Sequence, residues 1–228
     1  MENKSYFEKV TKEYKKASEY SEELYQNMAI RLNKILFGRV VDFGNGGIIN
    51  YDTQKIEKLI CVDIINKNRN ITNKKINFIY GDFYSPDLNS NADCILTQFL
   101  LHHLTDDKKL RISIRKVKTK LNERGKLVIG EIVVPRSVEL IQNIMKPIIF
   151  PILALMKKPG LRFFSAQSLS ALLADAGFND IQIQNIPIGK KVSPAPVLFP
   201  GLRMPGKLYP FKCILIEAKT NELLGQTH

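Results

Sequence analysis

"VVDFGNGGIINYD", residues 40–52, is the stretch whose reading decides the fold. Val40 and Val41 form an apolar run that Asp42 ends, and Gly44, Gly46 and Gly47 follow within four positions. A strand running straight into a glycine-rich turn is how an α/β protein brings bare backbone close to a nucleotide-like ligand. The stretch predicts a buried strand and a ligand-holding turn at its carboxyl end.

Outward from it, apolar runs and helical patterns alternate. "RVVDF" (39–43), "KLICVD" (58–63), "INFIY" (76–80), "DCILTQ" (93–98) and "KLVIGEIVV" (126–134) are five short apolar runs. None alternates cleanly with polar residues, which suits strands buried on both faces of a parallel sheet. The segments between them can hold crossover helices. The first, "IINYDTQKIEK" (48–58), has room for only two or three helical turns. In "KKLRISIRKVKTKLNERGK" (108–126), Leu110, Ile114, Val117 and Leu121 recur at helical spacing and the basic residues fill a solvated face.

Beyond Pro135 the pattern changes. "RSVELIQNIMKPIIFPILALMKKPG" reads as one or two apolar helices interrupted by Pro147 and Pro151. "SAQSLSALLADAGF" is a helix capped by Ser165 and stopped at Gly177. "DIQIQNI" alternates and is a strand, and "FKCILIEAK" is the last one. Between them, residues 187–210 carry six prolines and three glycines, a long loop of the functional kind. At the other end, residues 5–37 read as two helices. Ser21 is placed to cap the second, with Glu22 and Glu23 in its first turn.

The 228 residues suffice for one domain with a full core. Residues 1–36 are expected to be an N-terminal helical lid and 37–228 the ligand-binding domain, with a helical insertion at 134–164. The three cysteines, at 61, 94 and 213, each sit in a strand-like run, so they read as buried small hydrophobes of a reducing compartment. The N-terminal residues lack the apolar core of a signal peptide. The most apolar stretch, 146–158, has about ten uncharged residues where a membrane span needs roughly twenty. A cytoplasmic protein without a span is the expectation. The net charge is +12, with the lysines spread along the chain. That balance would suit nucleic acid, an anionic membrane surface or an acidic substrate.

The glycine turn has chemical company. Asp63 ends the second run, 21 residues after Asp42. In an open α/β sheet that carboxylate lies beside the turn, where it can accept both hydroxyls of a ribose. Asp82 follows the third run, in reach of an adenine amino group. The fourth run leads into Gln98 and then into His102 and His103.

Taken in order, "VVDFGNGG", "CVD", "YGDF", "DCILTQFLLHHLTDD", "LNERGKLVIGE" and "SLSALLADAGFNDIQI" resemble the class I S-adenosylmethionine-dependent methyltransferases over residues 37–220. The resemblance implies a Rossmann-like, doubly wound α/β sheet of seven strands, the last antiparallel between the fifth and sixth, and S-adenosylmethionine as cofactor. It implies that Asp42 and the backbone of Phe43, Gly44, Asn45 and Gly46 hold the methionine part. Asp63 would take the ribose, Ile64 would pack on the adenine, and Asp82 and Phe83 would flank it. Thr97 and Gln98 would lie beneath the sulfonium. The turn departs from the family's Gly-x-Gly-x-Gly, because Ile48 stands at the third glycine; Asn50, Tyr51 or Asp52 could help close the cradle. A dinucleotide fingerprint would need glycine at Ile49 and fails.

For catalysis, His102 and His103 begin a helix, and either could take a proton from a substrate hydroxyl, since histidine titrates near operating pH. Adjacent histidines are expected to point apart, so no metal site is predicted. The expected reaction is O-methylation of a small apolar acceptor, aromatic, polyketide-like or quinone-like, with N- or C-methylation as alternatives. Met145, Ile149 and Phe150 of the insertion are candidate acceptor contacts, and Tyr14 and Tyr20 candidate lid contacts. Nucleic acid is not the expected substrate: "TQFLLHH" lacks the prolines and tyrosine of a base-methylating turn. Two readings outside enzymology are a non-catalytic protein on the same fold and a membrane-surface protein using the apolar insertion with Lys157, Lys158 and Arg162.

Overall fold

Every one of the predicted apolar runs forms a strand. In the computed structural model, which describes residues 19–46, 48–65, 73–84, 91–193 and 202–220, helix α1 spans Glu22–Ile35. Strands β1 (Gly38–Phe43), β2 (Ile56–Asp63), β3 (Ile76–Tyr80) and β4 (Ala92–Gln98) follow, then helix α2 (Asp107–Lys118) and β5 (Leu121–Val133). Helices α3 (Arg136–Leu155) and α4 (Ala166–Asp175), β6 (Asp180–Ile186), the short pair β7 (Lys191–Val192) and β8 (Met204–Pro205), and β9 (Lys212–Lys219) complete the described chain.

The main sheet has seven strands in the order β3-β2-β1-β4-β5-β9-β6. β1 to β5 are parallel, and β9 runs antiparallel between β5 and β6, as the resemblance implied. Successive strand residues face opposite ways, which divides the core in two. Val41, Phe43 and Ile95 pack with Leu110, Ile114, Leu169 and Leu173 on the α2/α4 face. Val40, Leu59, Leu96 and Val128 pack with Met28 and Leu32 of α1 on the other. Gly130 is small for a visible reason: a Cβ there would sit 2.8 Å from Met28 Cε.

Several expectations need correction. Residues 48–55 contain no helix, so the first crossover is a bare loop. α2 ends at Lys118, and Leu121, read as helical, opens β5 instead. β3 is not buried on both faces: it is the sheet edge, and Tyr80 is largely exposed. Ser21 makes no cap to α1; its hydroxyl accepts from Ser193 N at 2.9 Å. α1, the described part of the expected lid, packs Leu24, Met28 and Leu32 into the core on one face of the sheet. Pro147 and Pro151 do not interrupt α3, which runs unbroken for 20 residues. By length and composition alone that helix is enough to cross a membrane, unlike the run of about ten uncharged residues within 146–158. Ser165 does cap α4, accepting from Ser168 N at 3.2 Å. The three cysteines are free and buried.

Candidate active site

The strand order reverses direction between β1 and β4, the switch point where open α/β sheets bind ligands at the strands' carboxyl ends. Phe43, the last residue of β1, is level with Thr97 of β4 and Val62 of β2. Beyond it Gly44 and Gly46 both take left-handed backbone, at φ of +72° and +57°. A Cβ on Gly44 would also lie 2.7 Å from Leu100. Asp63 pins this turn: its Oδ2 accepts from Gly46 N and its Oδ1 from Ile65 N, each at 2.8 Å. A carboxylate oxygen accepts more than one hydrogen bond, so acceptor capacity remains for a diol.

Asp42 is fully buried. Tyr51 donates to its Oδ2 at 2.8 Å, while Oδ1 is buried without a hydrogen bond of ordinary geometry. The Asp42 carboxyl is pushed up to about 7 on balance: burial raises it most, Tyr51 and then Asn45 oppose the rise, and the Asp63 charge adds to it. Burial and the Asp42 charge together raise the Tyr51 phenol, so it stays a donor. A buried ionisable group at the switch point, with one oxygen lacking a hydrogen bond of ordinary geometry, fits a ligand that brings a cation or donors. These groups therefore fit the methionine end of S-adenosylmethionine, which carries an ammonium.

The neighbouring residues divide. Thr97 Oγ1 is buried without a partner. Gln98 exchanges two hydrogen bonds with Asn50, at 3.2 and 3.3 Å, which ties β4 to the loop after the glycine turn. Ile64 is half-buried and Asp82 exposed at the rim. Phe83 lies in the core, edge-to-face on Phe43 with centroids 5.2 Å apart, and presents almost no surface to a ligand.

The histidines do not begin α2. Leu101–His103 form a single 3₁₀ turn four residues before it. Nor do they point apart, for their ring centroids are 4.0 Å from each other. His102 is oriented by Glu131, a fully buried carboxylate that the sequence reading did not assign. Glu131 Oε1 lies 2.8 Å from His102 Nδ1 and accepts from Ile132 N at 2.9 Å; Oε2 accepts from His102 N at 3.3 Å. The only signal was a lone carboxylate inside the apolar run "KLVIGEIVV". With Nδ1 on the carboxylate, His102 Nε2 is the nitrogen left to meet a substrate, and the side chain is 20% exposed. Burial, then the neighbouring His102, hold His103 well below the ordinary histidine range, and its Nδ1 is buried. Phe99 N donates to Gly130 O at 2.8 Å, so the dyad sits at the carboxyl ends of β4 and β5, the same end of the sheet as the glycine turn.

The expected acceptor contacts are not brought together. Met145 and Ile149 are exposed on the outer shoulder of α3, while Phe150 turns inward beside Gly160. Tyr20 lies under the Arg203 guanidinium, 4.8 Å from its ring centroid. Tyr14 falls outside the described residues.

Comparison with known proteins agrees with this geometry. The O-methyltransferase domain family matches residues 4–179, and the chain belongs to that family. Its family is thus one of methyltransferase domains, the class that the ordered sequence motifs resemble. An uncharacterized methyltransferase of Bacillus thuringiensis (strain Al Hakam) is 28% identical over 125 residues, 52% of this chain and 57% of that protein. The chain so spans little more than half the length of the curated relatives it matches. Among solved structures, a SAM-dependent methyltransferase of Thermotoga maritima superposes with a TM-score of 0.61 at 19% identity, covering 95% of this chain and 99% of that one. The Burkholderia thailandensis 1,6-didemethyltoxoflavin-N1-methyltransferase superposes at 0.65 and 13% identity, covering 95% and 86%. At such identities the likeness is one of fold.

Proposed function

We propose that this chain transfers a methyl group from S-adenosylmethionine to a hydroxyl of a small apolar acceptor, with His102 as the base. The observation that carries the reading is the His102–Glu131 pair at the carboxyl end of the sheet, the end at which the glycine turn is pinned by Asp63.

Asp42 and the backbone from Phe43 to Gly46 would hold the amino-acid end of the cofactor, Asp63 the ribose, Ile64 and Asp82 the adenine edge, and Thr97 and Gln98 the floor under the reacting carbon. When bound, the cofactor supplies a methyl on a sulfonium, a donor already activated for in-line displacement. The chain's part is alignment and proton removal. His102 Nε2 takes the acceptor's hydroxyl proton as the oxygen–methyl bond forms. Glu131 keeps the other nitrogen protonated and stabilises the imidazolium that results. His103, neutral because it is enclosed, packs against that ring without competing for the proton.

The apolar acceptor is argued from the insertion, where the inward-turned Phe150 and the half-buried Leu153 offer carbon surface near the dyad's turn. A neutral amine acceptor would lean less on His102, and the family's solved relatives in fold include an N-methyltransferase. A screen of phenolic, polyketide-like, quinone-like and amine acceptors separates the two. Turnover of hydroxyl acceptors that collapses in His102→Ala supports the proposal; turnover confined to amines and indifferent to His102→Ala refutes it.

A further inference from the structure

α3 is mounted inside out. Its polar side faces the domain and its apolar side faces away. Glu139 is the one buried residue of the helix. It accepts from Ser165 N at 3.1 Å and from Ser168 Oγ at 2.6 Å, and pairs with Arg136 at 2.9 Å. Burial alone would raise this carboxyl, but the bonds from Ser165, Ser168 and Arg136 carry it below the usual range. One turn on, Gln142 donates to Leu161 O at 2.9 Å and accepts from Phe163 N at 2.7 Å. Another turn on, Lys146 lies 3.6 Å from Asp107, which Arg162 also contacts. Positions 139, 142 and 146 follow the helical period, so the polar stripe fixes the helix's rotation. The opposite stripe, Leu140, Ile141, Ile144, Ile148, Ile152 and Leu155, is therefore held outward. Ile144 is 76% exposed and Leu155 86%.

Such a stripe on a 20-residue helix, about 30 Å long, exceeds the scattered apolar exposure of an ordinary surface. We infer that it is a docking surface for an anionic lipid bilayer, on which α3 lies parallel to the membrane plane with its apolar side in the acyl boundary. Charge selects this occupant. The stripe itself carries no acidic side chain. It runs at its end into Met156, Lys157 and Lys158, and the chain as a whole has a net charge of +12. A second copy packed on the same stripe would set Lys157 and Lys158 against cations of its own kind, with Glu139 and Asp107 already engaged inside each chain. A span across the membrane would require the hydrogen-bonded polar stripe to leave the domain. Lying in the interface requires neither. The inference stands apart from the methyl-transfer reading.

The test is co-sedimentation of the full chain with vesicles of phosphatidylcholine alone and of an equimolar phosphatidylcholine–phosphatidylglycerol mixture. Binding is expected on the mixed vesicles and at least about tenfold weaker on the neutral ones. The combined Ile144→Ser, Ile148→Ser, Leu155→Ser variant is expected to lose binding about tenfold or more while keeping its circular dichroism and melting temperature, because these side chains support nothing inside. Lys157→Glu with Lys158→Glu is expected to weaken binding to the anionic vesicles by a similar factor. Failure of the unaltered chain to sediment with anionic vesicles overturns the inference. So does a stable dimer, seen by analytical ultracentrifugation, that the serine variant turns into monomer, since the stripe would then be covered by a second copy.

Discussion

Tyr51 Oη lies 2.8 Å from Asp42 Oδ2, a buried pair nine residues apart that joins the end of β1 to the helix-free loop leaving the glycine turn. The bond decides how readily Asp42 carries charge, because burial opposes the charge and Tyr51 favours it. Tyr51→Phe is expected to raise the Asp42 carboxyl further above 7. Cofactor binding near neutral pH should weaken by about tenfold or more, the usual value of a hydrogen bond to a charged group. Calorimetric titration across pH checks this: the binding profile should move to higher pH.

Asp42 also makes stability depend on pH. In the folded chain it keeps its proton up to about 7; an ordinary aspartate releases it near 3.8. Between those values the folded state binds more protons than the unfolded one. The free energy of unfolding contributed by this group therefore falls as pH rises through that window, and the loss is complete above 7. Its upper size is about 4 kcal/mol. Denaturant unfolding of the chain and of Asp42→Asn at pH 5 and pH 8 should show the asparagine variant gaining relative stability at the higher pH.

The dyad yields a kinetic expectation. His102→Ala should lower kcat by about 100-fold or more, within the range that general-base catalysis supplies. Glu131→Gln should lower it while leaving cofactor affinity unchanged, because Glu131 touches His102 and Ile132 and not the crevice. His103→Asn should lower kcat far less than His102→Ala, because His103 packs against the His102 ring and is not given the proton.

The two left-handed glycines differ in a measurable way. Gly44→Ala meets both an unfavourable φ and the Leu100 side chain, whereas Gly46→Ala meets the φ alone, with no atom within 4 Å of the added carbon. Gly46→Ala should cost about 1 kcal/mol of stability and Gly44→Ala clearly more. Thermal melts of the two variants give the comparison.

Much of this was legible in the chain itself. β1, β2, β4, the second half of β5 and β9 are near-continuous apolar runs buried on both faces. The ordering of the pieces pointed to an antiparallel last strand. What escaped had physical reasons. Two prolines normally break a helix, yet both lie exposed in α3, where the carbonyls four residues earlier are not sealed away from a hydrogen-bonding partner. The inverted mounting of α3 is invisible to periodicity, which finds a stripe but not the side it faces. Glu131 and His102 are 29 residues apart, and only the β4/β5 pairing makes them neighbours. Phe83 sits next to a rim aspartate in sequence, but packing on Phe43 turned it into the core.

S-adenosylmethionine held through Asp42 and Asp63, at the switch point between β1 and β4, is the central claim. The direct measurement is isothermal calorimetry with S-adenosylhomocysteine at pH 6, in two buffers of different ionisation enthalpy. Saturable binding is predicted, with release of a proton that disappears in Asp42→Asn, and with affinity lost in Asp63→Ala. Absence of saturable binding at millimolar ligand, or binding that both variants retain unchanged, would contradict it.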